Sequence, residues 1–193
     1  MKGAGLAFQV GVRQGGVRLP YRTSENSLKA LSTLALLLST LSAGLMAGLF
    51  AAFAYSVMPG LRQSSNRTLV EAMQRINVAI INPVFMSAFM GGLLFMLAAV
   101  VLHWRGDLRP VLPWVIAGFV LYLVMFFVTA GVNVPLNDQL AKAGDPDKIP
   151  DLGAVRAAFE GSWVTWNVVR ALAATGSFGC FMWALVIHGA KSQ

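Results

Sequence analysis

The stretch Leu31–Val57, LSTLALLLSTLSAGLMAGLFAAFAYSV, contains no Lys, Arg, Asp or Glu. An α-helix rises 1.5 Å per residue, so about 20 apolar residues cover a ~30 Å hydrocarbon core, and this run is longer than that. Three further runs, Val78–Leu102, Val111–Val132 and Val168–Ile187, repeat the pattern almost free of charge. A backbone surrounded by lipid must satisfy its own hydrogen bonds, which a helix does and an open strand does not. The sequence therefore predicts an all-α protein: a four-transmembrane-helix bundle with short amphipathic helical extensions on one membrane side.

Composition agrees. The 193 residues are 56% hydrophobic and only 12% charged, with a mean hydropathy of +0.65, far from the usual soluble balance. Residues 1–27 are basic, Gly-rich and without hydrophobic period, and are read as a disordered tail. Residues 28–190 then form the single transmembrane domain. Ala52-Phe53-Ala54 resembles a signal-peptidase site, but the apolar stretch before it exceeds a 7–15-residue signal core, so a retained span is expected. The longest connection, Asn133–Asn167, should hold helix of its own. Cys180 is the only cysteine and lies in the last span, so a disulfide framework is excluded. With His103 and His188 as the only histidines, zinc or iron–sulfur sites have few ligands, and neither metal nor cofactor is expected.

The net charge of +7 is spread over termini and loops. It is read as topology and headgroup contact, not as a nucleic-acid surface. Four spans put both termini on one side. Lys/Arg residues divide almost evenly between the two sides, and the basic stretch before the first span places the termini in the cytoplasm of a bacterial inner membrane. The expected partners are the lipid bilayer and a small hydrophobic aromatic ligand. The oligomeric state is not legible.

Gly44, Gly48 and Ala52 form a small-residue stripe suited to close helix packing. Pro59-Gly60 is expected to end the first helix, and Pro83 to kink the second. Thr68 and Glu71 have capping-box spacing, predicting a helix that starts there and runs on into the membrane. The carbonyl freed near Ala79 and the amides of Asn77 and Asn82 would then need partners at the membrane edge. Met86 and Met90 are read as core filler.

Polar residues gather at the ends of the runs. Asn133-Val134-Pro135-Leu136-Asn137-Asp138 places two carboxamides and a carboxylate beside a proline break. Trp163, Trp166, Asn167 and Arg170 stand at i, i+3, i+4 and i+7, on one helical face. This pattern reads either as an interface belt with a snorkelling Arg, or as an aromatic slot in which Arg170 holds an anionic or phenolic oxygen. An arginine about one turn inside a span calls for a counter-ion, and Asp138 and Glu160 are the candidates. Topology brings Tyr55, Arg75, Asn77, Asn82, Asn133, Asn137, Asp138, Trp166, Asn167 and Arg170 to one membrane side. His103 and His188 fall at the opposite mouth, where they read as interface residues and, far less readily, as haem or copper ligands.

These residues resemble the anthrone-oxygenase-like family of four-helix membrane proteins, much of it of unknown function. The resemblance is carried by Gly44–Leu61, by Met73-Gln74-Arg75-Ile76-Asn77, by Asn133-Val134-Pro135-Leu136-Asn137, and by Trp163, Trp166-Asn167 and Arg170, and it spans roughly Leu31 to Ile187. It implies oxidation of an anthrone-type methylene to a quinone by O2, without metal or flavin. For that chemistry Asp138 is the candidate base. Arg170 and Asn167 would hold the anion, and Trp163 and Trp166 would pack the rings, with Tyr55, Arg75, Asn77, Asn133 and Asn137 lining the substrate pocket. Two non-catalytic alternatives stay open: a binding or transport protein for a small hydrophobic or quinone-like ligand, and a structural membrane subunit.

Overall fold

A computed structural model describes residues 20–104 and 108–192. All regular structure there is helical: α1 (Pro20–Ala52), α2 (Met58–Arg62), α3 (Asn66–Ala79), α4 (Pro83–Leu102), α5 (Leu112–Val128), α6 (Val134–Lys142) and α7 (Leu152–Ser192). Four stretches are long and apolar enough to cross a membrane: Ser27–Arg62, Pro83–Leu102, Arg109–Lys142 and Leu152–Lys191. Residues 1–19 of the expected tail lie outside the described residues. The helix begins at Pro20, inside that stretch.

Neither Pro59 nor Pro135 ends its helix. The α1 helix passes into α2 through a π turn, Phe53–Val57, and α5 passes into α6 through another, Thr129–Asn133. At each one the residue before the proline bonds five residues back, Met58 N–H to the Phe53 carbonyl and Val134 N–H to the Thr129 carbonyl. A proline ring clashes with the carbonyl four residues earlier and offers no N–H. Widening the preceding turn by one residue removes the clash and lets the helix continue.

Pro83 does break its run. The α3 helix is capped by Ser65, whose hydroxyl accepts the Thr68 N–H at 3.1 Å, and it stops at Ala79. Pro83 occupies the first turn of α4, where its missing N–H costs nothing. Asn82 seals the gap: its Oδ1 accepts the Phe85 N–H, and its Nδ2 donates to the Ala79 and Ile80 carbonyls. The orphaned Ala79 carbonyl thus finds the Asn82 amide, at 3.0 Å.

Along α1, small and polar residues share the buried face with Leu36, Met46 and Phe50, and leucines line the lipid face. Ser32, Ser39, Ala43 and Ala47 are buried along α1, while Leu31, Leu34, Leu41 and Leu45 are exposed, as suits helices that gain nothing by hiding leucine from lipid. This shifts the expected close-packing stripe. A Cβ added at Gly44 would stand 3.0 Å from the Phe178 ring, but one added at Gly48 would meet nothing within 4 Å. The tightest approach is at Gly92, where an added Cβ would stand 2.6 Å from the Tyr122 hydroxyl. That hydroxyl donates to the Phe89 carbonyl at 3.0 Å.

Beyond the membrane core the helices continue into a cap with its own buried cluster of Met58, Leu69, Val70, Met73, Leu140 and Phe159. Gln74 of α3 caps the C-terminus of α6, donating to the carbonyls of Leu140 and Gly144, both at 2.9 Å. Gly144 has φ of +84°, the left-handed conformation that ends a helix.

Candidate functional site

A cavity of about 540 Å³ lies where the cap meets the bundle. The Arg170 guanidinium reaches into it from α7 and is 5% exposed. Its ring-facing neighbours are Phe50, 4.4 Å from the guanidinium carbon, and Trp163, 5.3 Å away. Arg170 donates through Nη2 to Asn167 Oδ1 at 2.9 Å, and Asn167 Nδ2 donates to the Phe50 carbonyl at 3.0 Å. A buried cation costs several kcal/mol unless paired, and aromatic faces offset only part of that.

The expected counter-ions are elsewhere. Glu160 pairs with Arg156 at 2.6 Å and with Arg62 at 3.1 Å. Asp138 is exposed at the cavity's edge and makes no ion pair with Arg170. Among the described residues, Arg170 has no carboxylate partner, and its Nε is buried without a hydrogen-bond acceptor. Asn77 Nδ2, from the α3 wall of the same cavity, is also buried and unpartnered. Two donors therefore await an acceptor.

Trp163 organises the upper part. It is 4% exposed, packs against Phe53 at 5.5 Å between centroids, and donates its indole N–H to Asn137 Oδ1 at 2.8 Å. Its backbone carbonyl accepts from Asn133 Nδ2 at 3.2 Å. Asn133 and Asn137 thus share a face, and that face meets Trp163. Asn133 is fully buried and serves as a strut, with its Oδ1 left unbonded.

Five expected contacts do not line the cavity: Asn133 and Asn167 bond the residues that do, and Trp166, Tyr55 and Arg75 lie outside it. Trp166 is 39% exposed and does not line it. Lying about 60° round the helix from Trp163, it sits on the shoulder of the buried face. Tyr55 is 74% exposed, two residues from Phe53 and so on the far side of the helix. Arg75 turns outward and pairs with Glu71 at 2.8 Å. The second aromatic wall is instead Phe50, Phe53 and Phe85. In the sequence these look like any lipid-facing phenylalanine, and only the position of Phe53 just ahead of Pro59 gives a signal.

At the opposite mouth His103 and His188 are both buried, with His103 Nε2 and His188 Nδ1 3.1 Å apart. They are not interface-belt residues. His103 Nδ1 contacts the Ala99 carbonyl at 2.8 Å and His188 Nε2 contacts Thr33 Oγ1 at 2.9 Å, so the rings tie α1, α4 and α7 together. Among the described residues no three His, Cys, Asp or Glu side chains converge in metal-binding geometry.

Fold and site together define an integral membrane protein of four spans, with an aromatic, arginine-floored cavity at one interface. The family model for anthrone oxygenase matches residues 84–180, half of the chain, and the protein belongs to that family. The match runs from the first turn of α4 to Cys180 within α7 and takes in Asn133, Asn137, Trp163, Asn167 and Arg170. It leaves out the segments Gly44–Leu61 and Met73–Asn77. No curated protein and no solved structure matches the chain.

Proposed function

We propose that the cavity binds a flat aromatic ketone or phenol and oxidises its activated methylene with O2, as an anthrone oxygenase does. The carrying observation is Arg170: a buried guanidinium with no carboxylate and an unpartnered Nε, sandwiched by aromatic rings. Such a group suits an oxygen that becomes anionic during reaction. Asn77 Nδ2 supplies a second donor.

Asp138 takes the methylene proton in this reading, and Arg170 holds the resulting enolate. O2 adds to the carbanion, and the protonated peroxide loses water to leave the ketone. The methylene gives up two hydrogens and gains one oxygen atom, and the other oxygen leaves as water. The Arg170 guanidinium lies 5.3 Å from the Trp163 ring, and the Trp163 indole bonds Asn137, the neighbour of Asp138, so both groups border one cavity. The termini are placed in the cytoplasm and the cap on the outer side of a bacterial inner membrane, on the strength of the basic amino-terminal stretch.

The test is O2 uptake with an anthrone by the protein in vesicles. Asp138→Asn and Arg170→Ala, correctly inserted, should each lose at least tenfold in rate, and full activity in both would falsify the proposal. The exposure of Asp138 favours a second reading, a carrier that binds the same ligand without turnover. That reading predicts a ligand-dependent thermal shift with no O2 consumed.

A further inference from the structure

We infer that the cavity opens sideways into the bilayer, and that its ligand is a neutral, flat aromatic molecule taken from the lipid and not a solute arriving from water. The inference rests on the cavity being a ligand site, as proposed above.

Helix lengths set the depth. The contacts of His188 with His103 and with Thr33 bring α4, α7 and α1 level at one membrane face. Counting 20 residues back along α4 from His103 reaches Pro83, about 30 Å away and one hydrocarbon thickness. Counting 18 back along α7 reaches Arg170, about 27 Å away, and 17 forward from Thr33 reaches Phe50, about 25 Å away. The contact of Arg170 with Phe50 agrees with this ruler. Arg170 therefore lies just inside the hydrocarbon boundary, level with the first turn of α4.

The cavity wall at that level is the joint between α3 and α4. Val78 and Ile81 line the cavity yet are 76% and 71% exposed, so they form its rim. Val84 beside them is 80% exposed. Side chains of this size facing water forgo the stabilisation of burial, whereas facing lipid they forgo nothing. A helix break in lipid needs its backbone groups satisfied, and Asn82 does this locally, through its bonds to Phe85 N–H and the Ala79 and Ile80 carbonyls. The gap can thus face acyl chains without an exposed backbone penalty. A ligand already charged would have to shed water to cross this rim, whereas a neutral phenol or ketone crosses it freely. Charge would then develop only beside Arg170.

Association kinetics of a non-reacting dihydroxyanthraquinone with the protein in phosphatidylcholine vesicles test the route. In a Cys180→Ala background, Ile81→Cys or Val78→Cys is labelled after folding with a bulky maleimide. Ala141→Cys, on the exposed water-side edge of the cavity, is labelled likewise. Labels at 81 and 78 should slow association and dissociation at least tenfold with final occupancy within about twofold, and a label at 141 should leave the rates alone. Slowing by the label at 141, or no slowing at 81 and 78, overturns the sideways route. Arg170→Ala separates the two ideas: if it binds the probe as well as the parent, the site reading itself fails. If it loses the probe while the rim labels change nothing, only the route fails.

Discussion

Arg170 and Asn167 act as one unit, because Asn167 both accepts from the guanidinium and donates to the Phe50 carbonyl. Arg170→Lys keeps the charge but gives up the planar contact with Phe50 and the geometry of the Asn167 bond. It should weaken binding of a phenolic probe about tenfold or more. Asn167→Ala leaves the guanidinium charged but short of a buried acceptor, a cost of about 1–3 kcal/mol. Fluorescence titration in detergent should show about a tenfold loss, and parent-like affinity with a lowered melting temperature would reduce Asn167 to a structural strut. The sequence placed Trp163, Asn167 and Arg170 together because their spacing keeps them within one narrow face. It also placed Trp166 there, since a period of 3.6 residues cannot tell the centre of a buried stripe from its shoulder. That distinction belongs to the neighbouring helices.

The two π turns matter because they set helix phase where the site begins. Phe53 and Thr129 come from these turns and both line the cavity, and Asn133 reaches Trp163 from the second. A proline in a run reads from sequence as a stop, yet whether the chain stops or widens depends on what the next residues can bury. After Pro83 the break persists, capped by Asn82. After Pro135 the helix continues because Leu140 has a core to enter in the cap. Pro135→Ala restores the N–H and removes the clash with the carbonyl of Gly131, so the turn can close to α. Closing it would rotate everything beyond by about 100° and separate Asn137 from the Trp163 indole. The variant should stay folded, with a shifted tryptophan emission and several-fold weaker probe binding. Unchanged emission and affinity would show that tertiary contacts, not the proline, hold the π turn open.

At the scale of the molecule the described residues form two buried clusters, one inside the membrane bundle and one in the cap, with the cavity at their seam. The bundle was legible from hydropathy. The cap's helices were legible as short amphipathic extensions, but their shared core was not, because α3, α6 and the first turns of α7 are too polar and too short to announce one, and their partners are non-local. Arg156 is what fastens the cap. Its guanidinium donates to the carbonyls of Arg62 at 2.8 Å and Ser64 at 3.0 Å, and to Glu160 at 2.6 Å, with the Arg156 and Glu160 side chains only 15% and 13% exposed. Arg156→Met keeps much of the volume but strands both carbonyls and leaves Glu160 with Arg62 alone, a loss of about 2 kcal/mol confined to the cap. Hydrogen exchange should then quicken in α3 and α6 while the amides of α4, α5 and the inner half of α7 remain protected. Because α3 supplies Asn77 and Gln74 to the cavity, probe affinity should fall with the cap's protection even though Arg156 touches no part of the cavity wall. A uniform loss of protection through the spans would instead mean that cap and bundle unfold as one unit, and the cavity could not then be opened by loosening the cap alone.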